Sequence, residues 1–287
     1  MKYESIEQKI LRIIYPPLLY LLICLSTQMI AGAIFVGLDI KGTDTRGVSA
    51  TTSANYIEHI NAVISEHSVF MNFIGAAIGL FVFSIIYRKD AKKDESISFA
   101  RYLKKANFLN ILNSYTIGLT AGTGISLLIS ILPIDNILGS YESTSELLLN
   151  GNFIQLFVVL GVVVPLTEEI IYRGIVFNRI KRYLDINKAI FISALLFGIF
   201  HFNLMQGVYA FTIGVIIGCL YHKFDNILAP ISLHMAVNQL TVIFKCIGFS
   251  DYIEKNLWAY ILVMVVALAI GGFLLYNTFK PLKISKS

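Results

Sequence analysis

Charged residues are scarce in this chain of 287 residues, in which Asp, Glu, Lys and Arg make up 14% of the sequence and hydrophobic residues 56%. The mean hydropathy of +0.72 excludes an ordinary water-soluble domain and predicts an integral membrane protein. The first apolar run, at about 13–38, lacks a small-x-small cleavage site and is too long for the hydrophobic region of a signal peptide. We therefore expect this run to be retained as a membrane helix.

Cysteine is also rare, since the chain has three, an odd number, and all of them lie in apolar runs without metal-type spacing. This pattern excludes a disulfide framework and a cysteine zinc site. The net charge of +5 does not indicate a nucleic-acid partner, because the sequence has no nucleic-acid motif and its basic residues are confined to a few connections. We interpret the cysteines as packing residues: Cys24, Cys219 and Cys246.

Eight apolar runs approach the length of about 20 residues that crosses a bilayer. The sequence therefore predicts an all-α polytopic membrane protein, a single transmembrane domain over 1–287, with about eight transmembrane helices bundled around an intramembrane polar site. The fifth run is short, and its boundary with the sixth is the least defined. The predicted spans are 13–38, 68–87, 107–132, 152–177, 189–204, 205–222, 227–247 and 257–277.

Most of the 23 lysines and arginines fall on one side of this predicted bundle. They occupy the N-terminal segment, the connections at 88–107, 178–188 and 222–226, and the C-terminal tail. Under the positive-inside rule, both termini are cytoplasmic, and 39–67 and 133–150 are outer loops. The abundance of Ile, Lys and Asn indicates a Gram-positive bacterium, which predicts a location in the bacterial plasma membrane.

The most unusual stretch is P-L-T-E-E-I-I-Y-R-G, which places Glu168, Glu169 and Arg173 inside an apolar run from Phe153 to Phe177. A charge at the bilayer centre costs roughly 2.5–3.5 kcal/mol, so these residues indicate a functional site. Glu169 and Arg173 share one helix face and are expected to pair, whereas Glu168 lies about 100° further round the helix. Glu168 is then available as a general base. The alternative is an ion pair that only packs helices together.

Three further polar residues, His201, His234 and Asn238, lie in other apolar runs. At 1.5 Å per residue, Glu168 lies roughly 15 Å and His201 about 20 Å from the basic connection that joins their helices. His234 and Asn238 lie about 12 and 18 Å from the connection that precedes their own helix. We therefore expect one polar layer, although each residue alone is compatible with a hydrogen bond between helices. We interpret other polar residues and glycines as packing or interface positions: Gln28, Asn72, Asn110, Asn113, Gly118, Gly122, Gly124, Gly214 and Gly218.

The polar residues resemble three motifs of the CPBP family of intramembrane proteases, which includes the type II CAAX prenyl endopeptidases and the bacterial Abi and bacteriocin-processing proteins. The resemblance covers about 150–245, which we expect to be the catalytic core, and the N-terminal half matches only as generic membrane spans. The motifs E-E-x-x-x-R, F-x-x-x-H and H-x-x-x-N are, in order, Glu168, Glu169 and Arg173, then Phe197 and His201, then His234 and Asn238.

The resemblance implies a helical bundle with a conical cavity open to the cytoplasmic side, in which a peptide bond near the membrane is cleaved. The implied substrate is a membrane-associated peptide or protein within the lipid bilayer, and no nucleic acid is involved. The resemblance also implies three roles: water activation by Glu168 and His201, support of the site by Glu169 and Arg173, and oxyanion stabilisation by His234 and Asn238.

The involvement of a metal is open at this stage, because some members of the family are regarded as metalloproteases. A zinc set of Glu168, His201 and His234 is chemically reasonable, with water as the fourth ligand. However, the sequence has no H-E-x-x-H helix, and these three residues come from separate helices. We therefore favour a metal-free glutamate mechanism and expect no cofactor.

Two other functions compete with proteolysis. A proton-coupled transporter would also use membrane glutamates and histidines, but the chain has no internal repeat with paired broken helices. A non-catalytic bacteriocin immunity or scaffold protein is the second alternative, since a fold does not determine a function. The complete set of polar residues favours catalysis.

Overall fold

A computed structural model describes residues 4–42, 53–131 and 150–281 of the chain, and within these ranges the regular structure is helical, without a β-strand. The predicted all-α membrane fold is confirmed. The helices are α1 (Ile6–Gly42), α2 (Ser53–Ala91), α3 (Phe99–Lys104), α4 (Phe108–Ser130), α5 (Phe153–Lys181), α6 (Ile186–Ile199), α7 (Leu204–Phe224), α8 (Leu228–Cys246), α9 (Phe249–Glu254) and α10 (Leu257–Phe279).

Each of the eight predicted spans overlaps a helix, but the count of eight membrane crossings is not confirmed. Within the described ranges, five helices are long and apolar enough to cross a membrane, namely α1, α2, α5, α7 and α10. Helix α6 has only 14 residues. Helices α4 and α8 are longer, but asparagines in both, together with His234 and Gln239 in α8, lower their mean hydropathy.

Two predicted connections are shorter than expected, because helices continue beyond their apolar segments. Helix α2 begins at Ser53, so most of the predicted 39–67 loop is helical, and no Pro or Gly interrupts 53–67. The connection at 88–107 contains the end of α2 and the short helix α3. The predicted outer loop at 133–150 lies outside the described residues except for its last position.

Helix α5 occupies the centre of the bundle, where it contacts α1, α2, α6 and α8. Two of its segments, Val159–Val163 and Ile170–Phe177, are π-helical, and the two glutamates lie in the α-helical turn between them. A π segment leaves backbone carbonyls without their usual partners, and such segments are frequent at functional sites. Here side-chain amides contact those carbonyls: Asn238 Nδ2 donates to Leu160 at 2.9 Å, and Asn178 Nδ2 donates to Arg173 at 2.9 Å and Gly174 at 3.0 Å.

The basic end of the bundle is held together by polar contacts between helices. The Arg179 guanidinium binds Asp90 of α2 at 2.7 Å and also donates to the Arg12 carbonyl of α1. Asp225, in the turn after α7, accepts from Arg101 and Lys105 near α3. Burial alone would raise the pKa of Asp225, but these two cations lower it. The contact therefore contributes stability above the ordinary pKa of an aspartate and is lost as the pH falls through the lowered value.

Glycines allow helices to approach closely where the sequence predicted it, and this interpretation is confirmed. A Cβ at Gly122 would lie 2.8 Å from Val237, and one at Gly124 would lie 2.7 Å from Leu268. Gly118 faces the Leu233 carbonyl of α8, immediately before His234. The packing of α4 against α8 therefore helps to fix the position of a predicted site residue.

We expect Gly118→Ala to lower the free energy of unfolding by about 1–3 kcal/mol, because the added methyl overlaps the backbone of α8. The matched control is Gly272→Ala in α10, where an added Cβ meets nothing within 4 Å. Denaturation of both purified variants in mixed detergent micelles checks this prediction. Equal stability of the two variants would contradict the close contact.

Candidate active site

A fully buried ion pair forms the base of the site. Arg173 Nη1 donates to Glu169 Oε1 at 2.8 Å, and both side chains are completely inaccessible to solvent. The predicted pairing of these residues is confirmed. His234 Nδ1 lies 2.9 Å from the same Glu169 oxygen, so α8 is connected to α5 through this carboxylate. Within the described residues, Glu169 Oε2 and Arg173 Nε lack hydrogen-bond partners.

The guanidinium of Arg173 is held by neighbouring helices as well as by Glu169. Its Nη2 donates to the Gly214 carbonyl of α7 at 3.1 Å, and its central carbon lies 4.9 Å from the centre of the Phe197 ring of α6. A cation above an aromatic face is attracted by the ring quadrupole. Arg173 therefore joins α5, α6 and α7 behind the two glutamates.

Glu168 differs from Glu169 because it lines a cavity of about 340 Å³. Its side chain retains 16% of its accessible surface, and its Oε2 lies 3.6 Å from His234 Nε2. The imidazole of His234 thus has one carboxylate at each ring nitrogen. Of the two adjacent glutamates, Glu169 is committed to internal ion pairs, and Glu168 is the one that a molecule in the cavity can contact.

His201 lines the same cavity from the turn between α6 and α7. Its Nδ1 lies 2.7 Å from the Phe197 carbonyl and its ring stacks edge to face with Phe197. Since a carbonyl only accepts, Nδ1 carries the proton and Nε2 is the nitrogen left for other chemistry. The next residue, Phe202, has a φ of 55°, a left-handed conformation that is costly for a bulky side chain. Such strain is characteristic of functional sites.

Asn238 lies one helical turn after His234 and also lines the cavity. One of its amide hydrogens is directed to the Leu160 carbonyl in the first π segment of α5. An asparagine amide has a second hydrogen and a carbonyl oxygen, which remain for a bound molecule. The structure therefore brings Glu168, His201, His234 and Asn238 to one cavity and places Glu169 and Arg173 directly behind it.

Several lining residues come from the N-terminal half, where the sequence motifs give no signal. Helix α1 contributes Tyr20 and Cys24, and helix α2 contributes Asn72. The interpretation of Cys24 and Asn72 as packing residues is therefore incomplete. Tyr172, inside the glutamate motif, and Gln206 at the start of α7 also line the cavity. In the sequence, the one indication that Asn72 and Gln206 belong to the cavity was their position as polar residues within apolar runs.

The cavity extends in a direction that the family resemblance did not imply. From Glu168 it follows α5 back to Leu160, and from His234 it follows α8 on to Thr241, in both cases away from the basic connections. Toward the basic end, buried residues of α5 such as Ile175 and Phe177 fill the space. On α1, however, the lining includes Pro17, five residues after Arg12, so the cavity also reaches toward the basic end, and its expected opening to the cytoplasmic side stays a prediction.

The zinc set suggested by the sequence does not fit the arrangement of the side chains. In the part of the chain that the structure describes, no group of three His, Cys, Asp or Glu residues is placed to hold a metal ion. Both ring nitrogens of His234 face carboxylates, and His201 Nδ1 faces a carbonyl. Glu168 and His201 Nε2 still face the cavity, so it is the arrangement of the three groups, and not their other contacts, that disfavours zinc.

Comparison with known proteins gives a family match over the motif-bearing helices and a similar bacterial protein. Residues 150–240 match the profile of Rce1-like type II CAAX prenyl endopeptidases. A segment of 101 residues, 35% of this chain, is 30% identical to YdiL of Bacillus subtilis (strain 168), a candidate membrane peptidase. The chain spans 41% of the length of that relative.

No solved structure matches the chain. The matched segment 150–240 contains all three motifs, with helices α5 to α7 and most of α8. The resemblance first indicated by six polar residues is therefore supported independently by the family profile and by the bacterial relative. Over this segment the chain is similar to the Rce1-like type II CAAX prenyl endopeptidases, in agreement with the resemblance to the CPBP family that the motifs indicated.

Proposed function

We propose that this protein is an intramembrane endopeptidase that hydrolyses a peptide bond of a membrane-associated protein or peptide. The observation that carries the proposal is the position of Glu168, a carboxylate at the wall of a membrane-depth cavity, beside the buried Glu169, Arg173 and His234. The family match supports proteolysis. Residues 150–245 form the catalytic core of a single transmembrane domain in this proposal, which places the protein in a bacterial plasma membrane with cytoplasmic termini.

Glu168 acts as the general base in the proposed reaction. It accepts a proton from a water molecule in the cavity while the water oxygen attacks the carbonyl carbon of the substrate. His201 Nε2, on the same cavity, accepts a hydrogen bond from that water and orients it. When the C–N bond breaks, Glu168 returns the proton to the leaving nitrogen, so the enzyme recovers its initial protonation.

The oxyanion that develops on the substrate carbonyl requires hydrogen-bond donors. The second amide hydrogen of Asn238 is one donor, and His234 Nε2 is the other when the imidazole is doubly protonated. In that form, the Nδ1 proton of His234 remains bonded to Glu169, which keeps the ring in position. Glu169 and Arg173 therefore act as positioning residues, because Glu169 contacts His234, Arg173 contacts Glu169, and neither lines the cavity.

The proposed reaction uses no metal ion. The carboxylate and imidazole groups needed for proton transfer are already on the cavity wall, and no group of three His, Cys, Asp or Glu among the described residues is placed to hold a metal ion. Elemental analysis of the purified, active protein should find no stoichiometric zinc. One zinc per chain that is lost in His201→Ala would overturn the metal-free part of the proposal.

The test compares membranes of cells that express the wild type or Glu168→Gln at equal, verified abundance. Mass spectrometry of newly formed peptide termini should detect termini that are present with the wild type and absent with the variant. The residues around these termini define the substrate. Proteolysis would be contradicted if the two membranes contained identical termini while Glu168→Gln still produced the cellular phenotype of the wild type. That result would favour a binding role such as immunity.

A further inference from the structure

Tyr172 occupies one of the three unspecified positions of the E-E-x-x-x-R motif, so the family resemblance assigns it no role. It follows Glu168 by four residues, about one helical turn, and the two side chains therefore share a face of α5. Both line the same cavity, and the charge of Glu168 acts on the phenol of Tyr172. Tyr172 thus places a hydroxyl on the part of the wall next to Glu168.

The hydroxyl of Tyr172 is buried without a partner in the protein. Tyr172 retains only 3% of its accessible surface, and none of the residues that the structure describes shares a hydrogen bond with its hydroxyl. The oxygen is not among the fully enclosed unpartnered atoms of this part of the chain, so it opens on the cavity. Most buried polar groups are hydrogen-bonded, because an unpaired one is costly. The hydroxyl is therefore available to a molecule in the cavity.

The ring of Tyr172 is held by the same residue that holds both histidines of the site. Phe197 packs edge to face against Tyr172, with 5.0 Å between the ring centres, against His201 at 4.9 Å and against His234 at 5.4 Å. Three polar aromatic side chains from α5, α8 and the turn after α6 thus surround one phenylalanine. This packing fixes the direction of the phenol and keeps it close to the groups that contact the proposed catalytic water.

The proposed reaction leaves one requirement of that water unmet. A water molecule has two hydrogens and two lone pairs. In the reaction proposed above, the hydrogens are directed to Glu168 and to His201 Nε2, and one lone pair attacks the carbonyl carbon. The second lone pair needs a donor, which neither a carboxylate nor an unprotonated imidazole nitrogen can supply. The hydroxyl of Tyr172 is such a donor on the same wall.

We propose, on the basis of the endopeptidase function above, that Tyr172 is a further catalytic residue whose hydroxyl donates a hydrogen bond to the water that Glu168 activates. This bond holds one lone pair and leaves the other directed at the carbonyl carbon. It strengthens as negative charge develops on the water oxygen, so it favours the transition state. The hydroxyl keeps its own proton throughout, since Glu168 takes the proton of the water and returns it to the leaving nitrogen.

The experiment compares purified wild type and Tyr172→Phe, which removes one oxygen and keeps the ring against Phe197. The probe is a peptide that spans a new terminus found with the wild type, and Glu168→Gln defines the background. We expect kcat to fall about 10–100-fold, the range for one hydrogen bond to a developing charge. KM should stay unchanged, because the hydroxyl contacts the water and not the peptide. The midpoint of thermal unfolding should be equal to that of the wild type or higher, because the hydroxyl has no partner to lose.

Tyr102→Phe is the matched control, since it removes a buried hydroxyl that does have a partner. Tyr102 lies on α3 at the basic end of the bundle, is 1% exposed, and shares a hydrogen bond of 2.5 Å with the hydroxyl of Tyr221. We expect the opposite pattern for this variant, with a lower unfolding midpoint and a wild-type kcat for the folded protein. The contrast separates a catalytic hydroxyl from a structural one.

Failure of the inference is distinguishable from failure of the proposed function. If the wild type cleaves the peptide in a Glu168-dependent manner, the inference is overturned by a wild-type kcat in Tyr172→Phe or by a change confined to KM. A less stable or unfolded Tyr172→Phe would also overturn it, because the hydroxyl would then have a structural partner. These results leave the endopeptidase function intact. The absence of any Glu168-dependent cleavage by the wild type would overturn both.

Discussion

Glu168→Gln is expected to lower kcat about 10²–10⁴-fold and to leave the protein folded. The range is the usual contribution of a general base, and an amide of the same shape has no basic oxygen to accept the proton. The fold is expected to survive because Glu168 borders the cavity and its closest charged contact, His234 Nε2, is 3.6 Å away. Removal of this carboxylate therefore leaves no buried cation without its main partner.

The measurement combines hydrolysis of a peptide identified from the new termini with thermal unfolding of the same preparations. Glu95→Gln is the matched control, because Glu95 is an exposed carboxylate at the basic end of the bundle. The control should retain wild-type kcat and stability. Wild-type kcat in Glu168→Gln would show that this carboxylate is not the base, and an unfolded variant would show that its contacts are structural.

Arg173→Met is expected to lower the free energy of unfolding by about 3–5 kcal/mol, the usual effect of removing one partner from a buried ion pair. The side chain of Glu169 is fully buried, so its charge then depends on His234 alone. Methionine keeps the approximate length and apolar contacts of arginine beside Phe197 but supplies no hydrogen bonds. Denaturation in mixed detergent micelles measures the loss.

The double variant Glu169→Gln/Arg173→Met tests whether the loss arises from an uncompensated charge. Because this variant removes both charges, it should be more stable than Arg173→Met alone. The control Arg182→Met, at an exposed arginine after α5, should change the stability by less than about 0.5 kcal/mol. A double variant that is less stable than either single variant would mean that charge compensation is not the main role of Arg173.

The core of the site was predictable because charge in an apolar run is rare and each polar residue has few possible partners. The four-residue spacing of Glu169 and Arg173 identified their ion pair, and depth estimates brought His201 and His234 to the same layer. The sequence could not assign His234 to its position between the two glutamates, since that contact joins separate helices. It depends on the packing of α8 against α4 and α5.

The remaining cavity wall was not predictable, because uncharged polar residues in membrane helices are ambiguous. Asn72 on α2 and Gln206 on α7 could pack helices or line a cavity, and only the tertiary arrangement distinguishes these uses. The π segments of α5 were also missed, since Val159–Val163 is an ordinary apolar sequence. The sequence features that accompany these segments are Asn178 and Asn238, whose amides donate to the carbonyls of the π-helical residues.

The helix positions were well predicted, because long apolar runs determine them directly. The errors lie at helix ends, where polar helical residues of α2 resemble a loop in composition. Apolar length predicts where the helices lie better than it predicts which of them cross the membrane. His234, Asn238 and Gln239 reduce the hydropathy of α8, so a helix that carries polar site residues is harder to recognise as a span than a lipid-facing one.

The short helix α6 has a consequence for the surrounding bilayer. Its 14 residues span about 21 Å, whereas the hydrocarbon core of a typical bilayer is about 30 Å thick. Its outer surface is apolar, with Phe191, Leu195 and Ile199 exposed, so this face of the bundle contacts lipid tails. Such a hydrophobic mismatch is relieved by local thinning of the bilayer. Lipid headgroups then dip toward the turn that carries His201, which shortens the path of water and of a polar peptide to Glu168.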